Sequence, residues 1–134
     1  MVTDIHHVGI VVKSLHEAYR FWRDTLGLPL IREAEIADQG VRAALLAAGD
    51  SEIELLEPLG PDTPVGRFLA KRGEGVHHVG YRVDDVAAAL EALRAAGVPL
   101  VDETPRPGSR GTTIAFVHPK GFRGVLVELV QEPA

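Results

Sequence analysis

No cysteine occurs in the 134 residues. Disulfides, thiolate metal ligands and a cysteine nucleophile are therefore excluded, and any bound metal must draw on His, carboxylate, amide, carbonyl or water. No apolar run approaches the length needed to span a bilayer. The N-terminus enters a strand pattern at once, without the charged and apolar regions of a signal peptide. Positive charge is in deficit: 14 Lys and Arg face 19 Asp and Glu, for a formal net charge of -5. That balance argues against a nucleic-acid partner, yet leaves room for a local basic pocket that binds an anion. The expectation is a soluble, cytoplasmic protein with no membrane partner. The chain has the size of one ordinary domain, and 46% hydrophobic residues suffice for a core.

What the sequence does contain is a repeat. The stretch from Ile5 reads IHHVGIVV and the stretch from Val76 reads VHHVGYRV. Each is followed by a helical pattern and a Gly-x-Pro exit, at Gly27-Leu28-Pro29 and Gly97-Val98-Pro99. Each half closes on a strand with a carboxylate between apolar neighbours, Ile53-Glu54-Leu55 and Val127-Glu128-Leu129.

Between these landmarks the pattern predicts a β-α-β-β-β order, twice. Strands fit near Ile5 to Val12, Leu30 to Ile36, Val41 to Ala48 and Glu52 to Glu57. Ser14 with Glu17 reads as a capping box opening a helix to about Leu26. Its inward face would carry Leu15, Ala18, Tyr19, Trp22 and Leu26. A Pro- and Gly-rich linker over 58–75 holds a short helix that Thr63 caps and Pro64 starts, with Val65, Phe68 and Leu69 inward. The second half repeats with a strand from Val76 to Val83 and a helix capped by Asp84 or Asp85, which buries Val86, Ala89, Leu90 and Leu93. Strands near Leu100, Thr112 to Val117 and Val125 to Val130 complete it. The fold class is α+β: two βαβββ modules form a curled, antiparallel-rich sheet with a cleft, and the helices lie on its outer face. One domain is expected, with repeats at about 5–57 and 76–131 joined by the linker helix.

Strand alternation sets His7 with Ile5, Gly9 and Val11, and His78 with Val76, Gly80 and Arg82. The glycine two residues beyond each histidine leaves space beside it. Matched His, Glu, His and Glu positions place His7, Glu54, His78 and Glu128 as four donors around one pseudo-twofold axis. Two imidazoles and two carboxylates suit a borderline or hard divalent ion with open positions for substrate oxygen. His6 and His77 fall on the opposite strand face and read as packing or surface residues. His16 lies on an exposed helix face. His118 opens the loop His118-Pro119-Lys120-Gly121, and Arg110, Lys120 and Arg123 flank the last strands in Gly- and Pro-rich loops suited to phosphate or carboxylate.

At these residues the chain resembles the vicinal oxygen chelate superfamily, which includes glyoxalase I, extradiol dioxygenases and methylmalonyl-CoA epimerases. The resemblance covers nearly the whole chain. The run IELLEPLGPDTPVGRFLAKRGEGVHHVGYRVDD from Ile53 and the run HPKGFRGVLVEL from His118 are similar to the methylmalonyl-CoA epimerase family in particular. The resemblance implies one divalent ion, Co²⁺ favoured over Mn²⁺, Ni²⁺, Zn²⁺ or Mg²⁺, on His7, Glu54, His78 and Glu128. It implies an acyl-CoA substrate contacted by Arg110, Lys120, Arg123 and His118, and a homodimer. The implied reaction interconverts (R)- and (S)-methylmalonyl-CoA through an enolate, with Glu128 as a catalytic acid or base. Some epimerases carry Gln where Glu54 stands. Some carry a second catalytic Glu where Ala43 stands, so the partner acid/base is unassigned, with Arg42 and Ala44 adjacent. The alternatives are a glyoxalase I-type lyase acting on a hemithioacetal, and a binding protein of the same fold that does no chemistry.

Overall fold

A computed structural model describes all 134 residues. Contacts divide the chain into two units, one of His7–His77 and one of Met1–His6 with His78–Ala134. Each holds most of one βαβββ module, the boundary falling inside the first strand of each, and the fold is α+β.

The first module begins with β1 (Val2–Val11). The helix that follows starts as predicted: the Ser14 hydroxyl accepts from the Glu17 amide at 3.3 Å, and α1 runs Leu15–Tyr19. It then changes character. Arg20–Thr25 is a π-helical stretch, and the Leu26 amide donates five residues back to Phe21. This wider turn rotates the C-terminal end out of helical phase. Leu15 and Tyr19 are buried, whereas Leu26, expected inward, is exposed. Gly27 ends the segment with φ +80, the left-handed conformation that glycine adopts without strain.

β2 (Leu30–Ile36), β3 (Val41–Ala48) and β4 (Ser51–Pro58) follow, and the order within this module is β2-β3-β4-β1. The β2/β3 and β3/β4 pairs are antiparallel, but β1 and β4 run parallel. Parallel pairing of the first and last strands sets His7 beside Glu52 and Gly9 beside Glu54. One face of this sheet packs under the first helix through Leu15, Tyr19, Ala44, Leu46 and Leu55. Part of the other face is covered by α2 (Pro64–Arg72), whose Val65 packs on Val11, Val41, Ala43 and Leu56. Thr63 caps α2 as expected, and its hydroxyl accepts from the Gly66 amide at 2.9 Å. Phe68 and Leu69 pack against the same cluster.

The second module repeats this plan with β5 (Gly75–Val83), α3 (Val86–Ala95), β6 (Arg106–Pro107), β7 (Thr113–Val117) and β8 (Leu126–Gln131). Its strand order is β5-β8-β7-β6, again with a parallel first–last pair. Asp85, not Asp84, is the cap, and its carboxylate accepts from the Ala88 amide at 3.1 Å. Val86, Ala89 and Leu90 of α3 pack on Ala115, Val127 and Leu129, with Leu93 partly buried beside them. The strand expected near Leu100 is a single bridge to Val117, and the edge strand lies later, at Arg106–Pro107. Pro99, next to the bridge, has no amide hydrogen to extend a ladder there.

The modules also share a tie that links strand to helix. The Leu15 amide donates to Glu57 Oε1 at 2.9 Å, and the Val86 amide donates to Gln131 Oε1 at 2.9 Å. Each amide is the first of its helix, where no intrahelical acceptor exists.

Candidate metal and substrate site

In the unit His7–His77, β1 and β4 place the first His/Glu pair. Glu54 lies in register with Gly9 on one side and Leu45 on the other, so it shares a face with His7. Gly9 has no side chain to occupy the space beside the carboxylate. His7 is buried, and its Nε2 stands 3.8 Å from Glu54 Oε1. In the other unit β5 and β8 do the same. Glu128 lies in register with Gly80 and Phe116, and His78 Nε2 stands 3.2 Å from Glu128 Oε1. His78 and Glu128 are both buried.

These separations test whether the residues fit a metal. Nitrogen and oxygen ligands sit about 2.1 Å from a small divalent ion. Two such donors lie about 3.0 Å apart when they subtend a right angle and about 4.2 Å apart when opposite, by the same geometry. Both His/Glu pairs fall inside that window, and 3.8 Å is beyond hydrogen-bond length. A nitrogen and oxygen donor set with no thiolate is also right for such an ion. The residues fit.

The position of the missing carboxylate is defined by register. Ala43 pairs with Leu56, two residues from Glu54 along β4 and on its face. Ala43 is buried in the α2 cluster. Arg42 turns to the other face, where it pairs with Glu33 at 3.0 Å. Glu33 in turn accepts a short hydrogen bond from the Tyr19 hydroxyl. Burial, and then that bond, raise the Tyr19 ionisation, while the bond from Tyr19 and the Arg42 guanidinium lower that of Glu33.

The other histidines sort as follows. His6 is buried with Nε2 2.6 Å from Glu132 Oε1. His77 meets Phe68 edge to face. His16 is exposed. His118 caps a 3-10 turn over Pro119–Phe122, where its Nδ1 accepts from the Lys120 amide at 3.1 Å. Lys120 and Arg123 lie in or next to that turn and are exposed. The turn packs on the exit of α3, since a Cβ at Gly121 would meet Val98 at 2.7 Å. Arg110 lies in a different turn, Ser109–Gly111, with φ 55.

A further basic residue, Arg106, is linked to His78 through a ring. The Phe116 ring meets His78 edge to face at 6.0 Å, and the Arg106 guanidinium lies 5.3 Å above the Phe116 ring. Asp102 Oδ2 accepts both from Arg106 Nε at 3.1 Å and from the Phe116 amide at 2.8 Å. Nothing in the local sequence marks this bracket, because Arg106 stands in a Pro- and Gly-rich stretch without a strand pattern. The repeat does carry a signal: Phe116, opposite Glu128, holds the position of Leu45, opposite Glu54.

Comparison with known proteins agrees with this architecture. Residues 6–116 match the sequence model of the Glyoxalase/Bleomycin resistance protein/Dioxygenase superfamily, and the chain belongs to that superfamily. Within it, the chain is 38% identical to the ethylmalonyl-CoA/methylmalonyl-CoA epimerase of Cereibacter sphaeroides, over 98% of this chain and 99% of that one. It is 42% identical to the crystal structure of methylmalonyl-CoA epimerase from Mycobacterium tuberculosis, with TM-score 0.92, covering 99% of this chain and 90% of that one. A methylmalonyl-CoA epimerase solved in complex with methylmalonyl-CoA and NH4+ is 41% identical, with TM-score 0.93, over 100% and 97% of the two chains.

Proposed function

We propose that this protein catalyses the metal-dependent interconversion of the two C2 epimers of methylmalonyl-CoA. The observation that carries the reading is the pair of His/Glu sets, each with a buried histidine and a glutamate in register with a glycine of its module. Near-full-length similarity to epimerases supplies the substrate class. His7, Glu54, His78 and Glu128 would hold one divalent ion, and His7, Glu54 and His78 are a set of donors suited to a metal. Co²⁺ is favoured, with Mn²⁺, Ni²⁺, Zn²⁺ and Mg²⁺ as alternatives.

When bound, the ion supplies electrostatic stabilisation for negative charge developing on the thioester oxygen, roughly several kcal/mol. The chain's own residues do the rest. His7 and His78 present ring nitrogens from strands, and burial excludes bulk water from them. Glu128 moves the proton: its carboxylate is one acid/base at C2 of the substrate. Ala43 carries no proton, so the opposite face depends on water or on His118. Arg110, Lys120, Arg123 and His118 contact the anionic and polar parts of the acyl-CoA. One functional domain of two repeats, about 5–57 and 76–131, carries the activity, as a cytoplasmic homodimer. No helix is long and apolar enough to cross a membrane.

The test is proton NMR of methylmalonyl-CoA in D₂O, with metal-free protein and then with added Co²⁺, alongside a coupled assay for the opposite epimer. Metal-dependent loss of the C2 proton with formation of the other epimer is expected. Exchange without epimer formation would mean an acid/base on one face only. No exchange with any of the five ions would sink the epimerase reading, and turnover of a hemithioacetal instead would establish the lyase.

A further inference from the structure

The Arg106 guanidinium is held by two independent contacts. Its central carbon lies over the Phe116 ring, and its Nε donates to Asp102. Asp102 is fixed in turn by the Phe116 amide, so the acid, the ring and the guanidinium form one rigid bracket. Both contacts leave the two terminal nitrogens unused, and these are the donors that grip two oxygens of one anion in a fork. The side chain is half exposed, so a ligand can reach it.

The bracket's location decides which anion. Phe116 lies in register with Glu128 and meets the His78 ring edge to face. The guanidinium therefore lies no more than about 11 Å from the His78 ring. In a malonyl-type acyl-CoA the free carboxylate is attached to the reacting carbon itself. The first phosphate lies beyond the whole pantetheine arm. An anion site this near the ligand histidine matches the carboxylate.

We infer that Arg106, aligned by Phe116 and Asp102, is a specificity residue that binds the free carboxylate of a dicarboxylic acyl-CoA and so selects it over a monocarboxylic one. The inference rests on the epimerase reading for its substrate class, but its test needs no turnover. Calorimetry on Co²⁺-loaded protein would compare Kd for methylmalonyl-CoA, propionyl-CoA and methylmalonyl-pantetheine, the last lacking the CoA phosphates. The wild type should prefer methylmalonyl-CoA to propionyl-CoA by tenfold or more. Arg106→Ala should erase that preference, weakening methylmalonyl-CoA and methylmalonyl-pantetheine alike by about tenfold while leaving propionyl-CoA unchanged. Arg106→Lys, which keeps the charge without the fork, should recover part of it.

Equal Kd values for Arg106→Ala and wild type would overturn the assignment. So would a loss shared by propionyl-CoA, which marks a structural role, or a loss absent with the pantetheine ester, which marks a phosphate contact. Preferential binding without epimer formation would leave Arg106 standing and remove the epimerase reading alone.

Discussion

Adding a divalent ion to metal-free protein should raise its melting temperature by a calculable amount. A ligand that binds only the folded state at a hundredfold excess over Kd stabilises it by about 2.7 kcal/mol. The chain has 134 residues. At about 2.1 cal/mol/K per residue, its unfolding entropy is about 0.28 kcal/mol/K. The expected rise is therefore about 10 °C. Glu128 is a buried carboxylate facing His78 at 3.2 Å, and Glu128→Gln keeps its shape while removing the charged donor. If that weakens binding a hundredfold, the same ion concentration equals the new Kd, the stabilisation falls to about 0.4 kcal/mol and the rise to about 1.5 °C. Glu91→Gln, on the exposed side of α3, is the control and should keep the full rise. Scanning calorimetry with Co²⁺, Mn²⁺, Ni²⁺, Zn²⁺ and Mg²⁺ gives the answer directly. An equal rise in wild type and Glu128→Gln would place the ion elsewhere, and no rise with any of the five would remove the metal site.

Glu128→Gln loaded with saturating metal should also lose turnover by about 10²- to 10⁴-fold, the contribution of a positioned acid/base; full turnover in metal-replete protein would refute its proton-transfer role. Tyr19→Phe should cost about 1–3 kcal/mol near neutral pH by denaturant unfolding, since Glu33 loses its buried donor. The cost should shrink at both pH extremes. The raised Tyr19 value contributes stability below about pH 10 that is lost as pH rises through it, and the lowered Glu33 value contributes stability above about pH 4.3 that is lost as pH falls through it. A cost that stays flat with pH would contradict that pairing. Gly66→Ala should destabilise by about 1–3 kcal/mol because the new Cβ would meet the Gly60 carbonyl at 2.2 Å; an unchanged denaturation midpoint would show that the first turn of α2 yields freely. Gln131→Ala should cost about 1 kcal/mol and raise the exchange rate of the Val86 amide, and Gln131→Glu should restore both. Unaltered exchange in Gln131→Ala would mean the tie carries no load.

The parts of the molecule legible in sequence are those set by local chemistry. Ser14, Thr63 and Asp85 cap their helices because a short polar side chain satisfies an amide that the helix itself cannot. The ligand candidates were visible because a duplication writes them twice, and strand alternation then fixes their side. What escaped depends on contacts distant in sequence. The parallel pairing of β1 with β4 is invisible to periodicity, which reports faces and not strand direction. The π-helical turn at Arg20–Thr25 left Leu26 exposed although its spacing is helical. Arg106 is a strand residue only because β7 is there to pair with it, and two residues carry no periodic signal.

Duplication has kept some features and released others, and the division follows chemical need. Each module retains a histidine, a glycine two residues on in register with a glutamate, and a tie from the strand end to the first helical amide. The tie acceptors, Glu57 and Gln131, each stand three residues after the matched glutamate, Glu54 or Glu128. They therefore anchor the very strand that carries it, and a metal ligand must be held to a fraction of an ångström by its supporting contacts. Under the proposed function an ion would make the same demand on each module, which accounts for the match. A substrate would not, since its carboxylate and its thioester differ. Accordingly the residues opposite the glutamates diverge: Leu45 in the first module, Phe116 in the second. The edge strands diverge as well, seven residues in β2 against two in β6, and only the short edge carries an arginine stacked over the opposing ring. Under the proposed function the matched positions would serve the metal and the unmatched ones recognition, which puts the determinants of substrate choice where the two halves of the sequence stop resembling each other.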